Sequence, residues 1–250
     1  MSRNLKNMVW VKICGTTNLE DAQTAVDAGA DALGFVFAES PRRVAPVVAR
    51  QITRALPGRV EKIGVFVKET AQHIREIAAE IELTGVQIHG DEDLEVALSL
   101  IADPGSSRPL DVIPVLPIGR FGQVMYKSMQ SAGRGSRPPD ILIKFMKGHR
   151  LILDTAVEGK WGGSGQTWDW KLGKASVQFV PPHCRTIIAG GLTPANVGEA
   201  IRTLHAWGVD VASGVEREPG KKDLEKVREF VNAAKSTDPW ADFRHLMRER

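Results

Sequence analysis

The chain has 250 residues, a formal net charge of +3 at pH 7, 42% hydrophobic and 25% charged residues, which is typical of a folded protein and excludes disordered or collagen-like chains. No apolar run reaches the ~20 residues of a membrane span, and the polar start MSRNLKN is not a signal peptide. The small, evenly interleaved charge gives no basic surface for nucleic acid, and Cys14 and Cys184 fit neither a disulfide framework nor a CxxC site. We therefore expect a cytoplasmic protein with two free thiols and no membrane or nucleic-acid partner.

Short apolar runs of strand length alternate with stretches of helical periodicity along the chain. The first run, residues 9–14, is followed by Thr17 and Glu20, whose spacing predicts a capping box for a helix that stops at Gly29. The later apolar runs cover residues 32–37, 62–67, 85–89, 111–116, 151–154, 186–189 and 209–212. The clearest later helices are predicted over residues 46–56, 70–81, 193–204 and 224–231.

Two local features bear on this pattern. Pro114 lies inside the fifth apolar run, although a proline cannot donate a hydrogen bond to a sheet ladder. After the seventh run, Thr193 is predicted to be the N-cap of the next helix, with Pro194 at its first position. Eight strand–helix units in about 235 residues match a single (β/α)8 barrel of the TIM type, which is an α/β fold. A doubly wound open sheet is the alternative.

The barrel is expected to form one catalytic domain over residues 1–235. Residues 131–148 begin with a stretch rich in Gly, Pro and Arg and are predicted to be a surface excursion between the fifth helix and the sixth strand. In the tail, residues 236–250, one helical face carries Trp240, Phe243, Leu246 and Met247. The tail is therefore predicted to be a short amphipathic helix that docks on the barrel or on a partner subunit, with a membrane-surface role as the alternative.

Reactive groups of a (β/α)8 barrel collect at the carboxyl ends of its strands. The polar residues at or just beyond those ends include Cys14, Arg42, His89, Asp154 and Asp210. Cys14 is either a small buried residue or, because Lys12 is near, a thiol whose pKa falls toward neutrality and makes it a base or nucleophile. Asp154 either caps a loop or acts as an acid. A structural hydrogen bond for Asp210 or His89, and a solvated side chain for Arg42, remain alternatives.

Glycine-rich turns follow the last two predicted strands. Gly190 and Gly191 precede a helix, and Ser213 and Gly214 follow the eighth strand. Backbone N–H groups in such turns, together with positive helix ends, are where barrels commonly hold phosphate. The sequence therefore predicts a phosphate ester as ligand, with plain turns as the alternative. It contains no spacing typical of a metal site.

Several motifs resemble those of the phosphoribosylanthranilate isomerase family. They run in order from about residue 9 to residue 235 and are far more specific than barrel spacing. These motifs are KICG at residues 12–15, GFVF at 34–37 with SPR at 40–42, GVF at 64–66, QIHG at 87–90, LDT at 153–155, GGSGQTWDW at 162–170, AGGLTPANV at 189–197, GVD at 208–210 and SGVE at 213–216.

The resemblance implies a cofactor-free Amadori rearrangement in tryptophan biosynthesis, which converts N-(5-phosphoribosyl)anthranilate into 1-(2-carboxyphenylamino)-1-deoxyribulose 5-phosphate. It implies that Asp154 protonates the ring oxygen as general acid and that the Cys14 thiolate then removes a proton from the second ribose carbon. By the same resemblance, Arg42 lies near the anthranilate carboxylate, with Asp210 and His89 shaping that end of the site. The turns at Gly190–Gly191 and Ser213–Gly214 would hold the phosphate.

Two departures and two competing functions accompany the resemblance. The family usually has two serines where this chain has Ala212 and Ser213, and residues 131–148 and the tail exceed the usual length. A barrel resembling the histidine-pathway isomerase would rely on two aspartates, whereas this chain has Cys14. A non-catalytic ligand-binding or scaffold barrel would need neither Cys14 nor Asp154. The partner expected is a phosphorylated small molecule, and the chain is expected to be a monomer or homodimer that could contact other enzymes of its pathway.

Overall fold

Eight parallel strands close into a barrel in the computed structural model of the chain, which describes residues 8–89, 94–102, 110–125, 149–157, 160–161, 167–177, 180 and 183–241. The barrel strands are β1 Trp10–Cys14, β2 Ala32–Val36, β3 Glu61–Phe66, β4 Gly85–Ile88, β5 Asp111–Ile118, β6 Arg150–Val157, β8 Arg185–Ile188 and β9 Gly208–Val211. They pair in the order β1-β2-β3-β4-β5-β6-β8-β9, and β9 pairs with β1 to close the ring. The predicted TIM barrel is confirmed, and the open-sheet alternative is wrong.

Short antiparallel strands lie outside the ring. β7, Lys160–Trp161, pairs with the end of β6, and β10, Glu216–Glu218, forms a hairpin with β11, Lys221–Lys222. A 3-10 turn, Ser213–Val215, joins β9 to this hairpin.

The helices pack around the ring. They are α1 Leu19–Ala28, α2 Pro46–Ala55, α3 Ala71–Ile81, α4 Leu94–Ala102, α5 Trp170–Val177, α6 Val197–Leu204 and α7 Leu224–Ser236. Their apolar residues recur at helical spacing. In α6, for example, the buried residues are Val197, Ala200, Ile201 and Leu204. This spacing places the apolar side chains on one face, which packs against the strands.

Four of the barrel strands are buried along their whole length, since every residue of β1, β2, β4 and β9 is buried. Successive side chains point alternately to the helix layer and to the barrel interior. The inward-pointing apolar residues form a cluster inside the ring that includes Ile63, Ile113, Ile152 and Ile187. This filled interior confines polar groups to the two ends of the barrel and to a few inward positions near its carboxyl end.

Two predicted helix starts are wrong. The N-cap of α1 is Asn18, whose side chain accepts from the backbone N–H of Asp21, while the Thr17 hydroxyl donates to Gly220 O at 2.6 Å. α6 begins at Val197 rather than next to Thr193. The Asn196 side chain instead accepts from Thr193 N at 2.7 Å. In both places a side chain that forms a tertiary or turn contact displaces the simpler local cap.

β5 contains Pro114, which occupies a regular register opposite Ile88 of β4. The strand also continues through Pro117, beyond the predicted end at residue 116. The Pro117 carbonyl accepts from Met125 N at 2.8 Å. The ladder therefore loses a donor at each proline without losing the strand.

The amino-terminal end of the barrel is closed by an ionic and aromatic cluster. The Arg150 guanidinium binds Glu61 and Asp111 and lies 4.9 Å from the centre of the Trp10 ring. Trp10 in turn stacks on Trp207 with ring centres 5.5 Å apart. Any ligand must therefore enter at the opposite, carboxyl end.

The predicted excursion over residues 131–148 lies outside the described residues, as does most of the tail. Of the tail, residues 236–241 are described, and there Trp240 stacks on His205 with ring centres 4.4 Å apart. The His205 ring also contacts Pro239 O at 2.8 Å. The first residues after α7 therefore fold back against the end of α6. No helix in the described part of the chain combines the length and apolarity needed to cross a membrane.

Candidate active site

All of the predicted site residues lie at the carboxyl end of the barrel. Cys14 ends β1, Asp154 lies in β6, His89 directly follows β4 and Asp210 lies in β9. The other members of the predicted set lie in the loops after β2, β8 and β9, and these are Arg42, Gly190, Gly191, Ser213 and Gly214. The closure of the ring thus assembles groups from six different strands around one opening.

Lys12 lies inside the barrel, two residues before Cys14 on the same strand, and is fully buried. Its Nζ donates to Gln87 Oε1 at 2.7 Å and to Asp210 Oδ2 at 2.8 Å. Burial alone would lower the pKa of Lys12, but the facing Asp210 carboxylate and Cys14 reverse the effect, and the pKa is raised. Lys12 is therefore a fixed positive charge beneath the opening.

Cys14 points into the same space as Lys12, because residues two apart on a strand share one face. A Cβ placed on Gly34 of the neighbouring strand would lie 2.8 Å from Cys14 Sγ and 3.0 Å from Lys12 Cε. A glycine at that position therefore leaves room for both side chains. Burial raises the pKa of the Cys14 thiol, while Lys12 and Lys222 oppose the shift. The prediction that this pKa falls toward neutrality is wrong, because desolvation outweighs the nearby positive charges.

Asp154 is buried and held by two contacts. Its Oδ1 accepts from Thr155 N at 2.7 Å, and its Oδ2 lies 3.3 Å from His89 Nε2. His89 is also buried. The pair joins β6 to the end of β4, from which only β5 separates it in the ring, and fixes the direction of the carboxyl group.

Asp210 forms the other half of the Lys12 ion pair. Burial raises the pKa of the Asp210 carboxyl, against the opposing effect of Lys12. Its Oδ2 is taken by Lys12, whereas its buried Oδ1 has no hydrogen-bond partner among the described residues. A buried carboxylate oxygen of this kind is an acceptor available to a ligand donor.

Arg42 extends from the loop after β2 and is bound by a carboxylate from the other end of the chain. Its Nε donates to Glu216 Oε1 at 2.9 Å and its Nη2 to Glu216 Oε2 at 2.7 Å. The aliphatic stem lies over Gly15, where an added Cβ would be 2.7 Å from Arg42 Cδ. Gly15 has a φ of +76°, which also favours glycine. The guanidinium is thereby held next to the end of β1.

The two glycine turns lie side by side after β8 and β9. Gly190 and Gly191 have φ values of +90° and +62°, and a Cβ on Gly214 would lie 1.8 Å from Leu192 O. In the described part of the chain, the backbone N–H groups of Gly190 and Gly191 donate no hydrogen bond to protein. Adjacent donors in such a concave turn can bind an anion.

Two residues of this region are not predicted by the sequence. Glu216 occurs there only as the last residue of the SGVE motif, and no motif includes Lys222. Both are buried, and Lys222 Nζ lies 3.0 Å from Glu216 Oε1. No signal in the sequence separates these two from Arg217, Glu218 and Lys221, the other charged residues of the same segment.

Two other groups of residues add no ligand set. The described residues contain no cluster of three His, Cys, Asp or Glu side chains that could hold a metal ion. Trp168, in the GGSGQTWDW motif, is buried and its Nε1 lies 3.4 Å from Ala189 O. Trp168 therefore packs beneath the loop after β8.

Comparisons with known proteins identify relatives of this chain. The family described as N-(5'phosphoribosyl)anthranilate (PRA) isomerase matches residues 11–108 and 139–233. The N-(5'-phosphoribosyl)anthranilate isomerase of Bacillus cereus strain B4264 is 41% identical over 227 residues, which cover 90% of this chain and 97% of that protein.

Solved structures agree with this similarity. The structure of monomers generated from the dimeric phosphoribosylanthranilate isomerase of Thermotoga maritima is 34% identical, with a TM-score of 0.70 over 91% of this chain and 99% of that one. A phosphoribosyl anthranilate isomerase in complex with reduced 1-(o-carboxyphenylamino)-1-deoxyribulose 5-phosphate is 35% identical, with a TM-score of 0.71 over the same shares of both chains.

Proposed function

The chain belongs to the N-(5'-phosphoribosyl)anthranilate isomerase family, and we propose a role for each of its site residues in the isomerisation. The chain is an isomerase of tryptophan biosynthesis that converts N-(5-phosphoribosyl)anthranilate into 1-(2-carboxyphenylamino)-1-deoxyribulose 5-phosphate. The observation that carries the assignment is the placement of Cys14 and Asp154 at one barrel opening on different strands, beside two glycine turns. An aldose-to-ketose rearrangement needs one acid and one base on the same sugar.

Asp154 acts as the general acid. Its carboxyl group donates a proton to the furanose ring oxygen, the bond between that oxygen and the first ribose carbon breaks, and an open-chain iminium forms. The contacts with Thr155 N and the His89 ring support this role because they hold the carboxyl group in one direction. Positioning of this kind is a large part of what a catalytic acid contributes.

The Cys14 thiolate acts as the base in the second step. It removes the proton from the second ribose carbon, and the electron pair of that C–H bond neutralises the iminium to give an enolamine. The enolamine then tautomerises to the aminoketone product. Lys12 supports this role because its buried ammonium group balances the charge of the thiolate. The iminium itself makes the proton acidic, so a base of modest strength suffices.

The two ends of the substrate are held by opposite parts of the opening. Arg42 binds the anthranilate carboxylate, which a guanidinium can accept through two parallel hydrogen bonds. Gly190, Gly191, Ser213 and Gly214 bind the phosphate through backbone N–H groups. Asp210 Oδ1, which lacks a donor among the described residues, accepts a hydrogen bond near the anthranilate nitrogen, and His89 shapes the same end.

The competing functions have less support. A two-aspartate isomerase would need a carboxylate in place of the thiol of Cys14. A non-catalytic ligand-binding barrel would have no use for a buried ammonium group beneath that thiol, because burying Lys12 requires a compensating ion pair.

The remaining expectations concern organisation and location. We infer one catalytic domain over residues 1–235, with the tail docking on the barrel through the contact of Trp240 with His205. The relative from Thermotoga maritima is described both as a dimer and as monomers, and this chain acts as a monomer or homodimer. Its location is the cytoplasm, where phosphorylated biosynthetic intermediates are made and retained.

The direct test is to mix the purified protein with freshly prepared N-(5-phosphoribosyl)anthranilate and follow the decay of its fluorescence. The wild-type protein is expected to accelerate the decay and to form the aminoketone product. A double variant, Cys14→Ala with Asp154→Asn, is the matched control and is expected to leave the spontaneous rate unchanged. A wild-type rate equal to that of the double variant would contradict the proposal.

A further inference from the structure

Arg42 enters the site already paired, which limits how it can bind a substrate. Glu216 accepts from Nε and Nη2, so the edge of the guanidinium formed by these two atoms is occupied. A guanidinium carries five N–H donors in a planar fork. The edge formed by Nη1 and the second N–H of Nη2 remains for a carboxylate, in the bidentate geometry that arginine favours.

An arginine paired with one carboxylate is a poor anion site unless further positive charge is present. The Arg42 and Glu216 side chains are 14% and 4% exposed, so water screens the attraction between their charges only weakly. Taken alone, this pair has no net charge to attract a substrate carboxylate.

Lys222 changes that balance. Its side chain is fully buried, and Nζ lies 2.6 Å from Cys14 O, 3.2 Å from Ala212 O and 3.0 Å from Glu216 Oε1. A neutral amine has two N–H groups and an ammonium has three. Burial lowers the pKa of Lys222, and the Glu216 carboxylate opposes this shift. Only the charged form can donate to all three acceptors, and with Lys222 charged the cluster of Arg42, Glu216 and Lys222 carries one net positive charge.

The cluster also connects three parts of the site. Lys222 binds the carbonyl oxygen of Cys14 at the end of β1, and Glu216 directly follows the turn that contains Ser213 and Gly214. Gly220 in the hairpin donates to Glu216 Oε1 at 3.3 Å. The carboxylate thus has a donor on each side and cannot rotate away from Arg42.

We propose that Glu216 and Lys222 are positioning residues for Arg42: Glu216 fixes one edge of the guanidinium, and Lys222 supplies the charge that keeps this end of the site attractive to the anthranilate carboxylate. The inference rests on the proposed function. It adds to that function a charge requirement met by a residue that does not touch the substrate.

The test compares the affinity of two ligands that differ in one group. The first is reduced 1-(o-carboxyphenylamino)-1-deoxyribulose 5-phosphate, and the second is the same compound without the carboxyl group. Lys222→Met is expected to weaken binding of the first about tenfold and of the second less than about twofold, because only the first presents a carboxylate to Arg42. Lys221→Met is the matched control, since Lys221 is the adjacent lysine and its side chain is 56% exposed.

A second variant separates charge from packing. Glu216→Gln combined with Lys222→Met restores one net positive charge and keeps one acceptor oxygen at position 216 to hold Arg42. The double variant is therefore expected to return the affinity for the carboxylate ligand to within about threefold of the wild type. A merely structural role predicts the opposite, because the double variant would then bind more weakly than Lys222→Met. If Lys222→Met does not fold, comparing Glu216→Gln with the double variant measures the same loss of charge without an unpaired buried carboxylate.

The outcomes separate a failure of the proposed role of Lys222 from a failure of the proposed isomerase function. Equal weakening of both ligands, or no weakening of either, overturns the role of Lys222 while leaving the isomerase activity intact. A wild-type protein that neither isomerises the substrate nor binds the carboxylate ligand overturns the proposed function, and the inference with it.

Discussion

The Lys12 ammonium group and the Asp210 carboxylate meet at 2.8 Å inside the barrel, although 198 positions separate them in the chain. Their pairing joins β1 to β9, the two strands that close the ring. Burial of a charged lysine is tolerated only with such a partner. The pair therefore places a positive charge below the Cys14 thiol at a position that the barrel itself determines.

The first prediction concerns pH. Because burial raises the pKa of Cys14 and the base must be deprotonated, the rising limb of kcat/KM should lie at higher pH than the ~8.5 of an ordinary thiol. Lys12→Met removes a positive charge that opposes the rise in the Cys14 pKa. The rising limb of kcat/KM for this variant should therefore lie at still higher pH. The measurement is the pH dependence of kcat/KM, with Lys171→Met on an exposed helix position as control. Alkylation of Cys14 as a function of pH gives the same pKa without turnover, and a limb unaffected by Lys12→Met would refute the electrostatic role.

The second prediction concerns the acid and the base themselves. Asp154→Asn and Cys14→Ala should each lower kcat by roughly 10²- to 10⁴-fold with little change in KM, since each removes one proton transfer. Steady-state kinetics by substrate fluorescence provide the measurement. Cys184→Ala is the matched control, because burial raises the pKa of Cys184 to about 11 and Cys184 directly precedes β8, at the other end of the barrel. Wild-type turnover in Asp154→Asn or Cys14→Ala would remove that residue from the mechanism.

The third prediction separates binding from chemistry. Arg42→Ala should chiefly raise KM, by about 10- to 100-fold, because a lost charged hydrogen bond to the substrate carboxylate weakens binding before the proton transfers begin. Arg43→Ala, next in sequence and exposed, should leave KM unchanged. A fall in kcat alone for Arg42→Ala would contradict a role as carboxylate anchor.

Much of the fold follows from local pattern. The strands are short runs of buried apolar residues, and each helix repeats its apolar residues at a helical spacing. Both patterns can be recognised in the sequence without knowledge of any tertiary contact. The starts of the helices at Leu19 and Val197 do not follow from local pattern. Before the first of them, Thr17 binds Gly220 O, which is a contact between the first and last units of the barrel.

The site divides in the same way. Cys14, His89, Asp154 and Asp210 could be predicted because the carboxyl ends of parallel strands meet at one end of a barrel. The pairing of Arg42 with Glu216 could not, because it spans 174 positions and depends on how the ring closes. Lys222 lies among charged residues that are typical of a solvated hairpin, and only the tertiary structure reveals its burial.

The fourth prediction concerns stability in acid. Although burial alone would raise the pKa of Glu216, the side-chain hydrogen bond from Arg42 and the charges of Lys222 and Arg42 lower it. A carboxylate with a lowered folded-state pKa stabilises the protein above its unfolded-state pKa of about 4.3, and this stabilisation is lost as pH falls through the folded-state value.

Urea unfolding at a series of pH values should therefore show that wild type exceeds Glu216→Gln in free energy of unfolding at pH 7. The difference should shrink below about pH 4. Glu218→Gln, in the same hairpin but 55% exposed, is the control and should change stability little. A difference between wild type and Glu216→Gln that is constant with pH would contradict the ionic contribution of Glu216.

The last prediction concerns the phosphate turns. Gly214→Ala would place a Cβ 1.8 Å from Leu192 O, so either the turn after β9 or the turn after β8 must move. We expect a loss of about 1–3 kcal/mol in unfolding free energy and a weaker affinity for inorganic phosphate, measured by its inhibition of turnover. Gly58→Ala is the matched control, because no atom lies within 4 Å of its added Cβ. Unchanged phosphate inhibition in a destabilised Gly214→Ala protein would assign this turn to packing alone and leave the phosphate to Gly190 and Gly191.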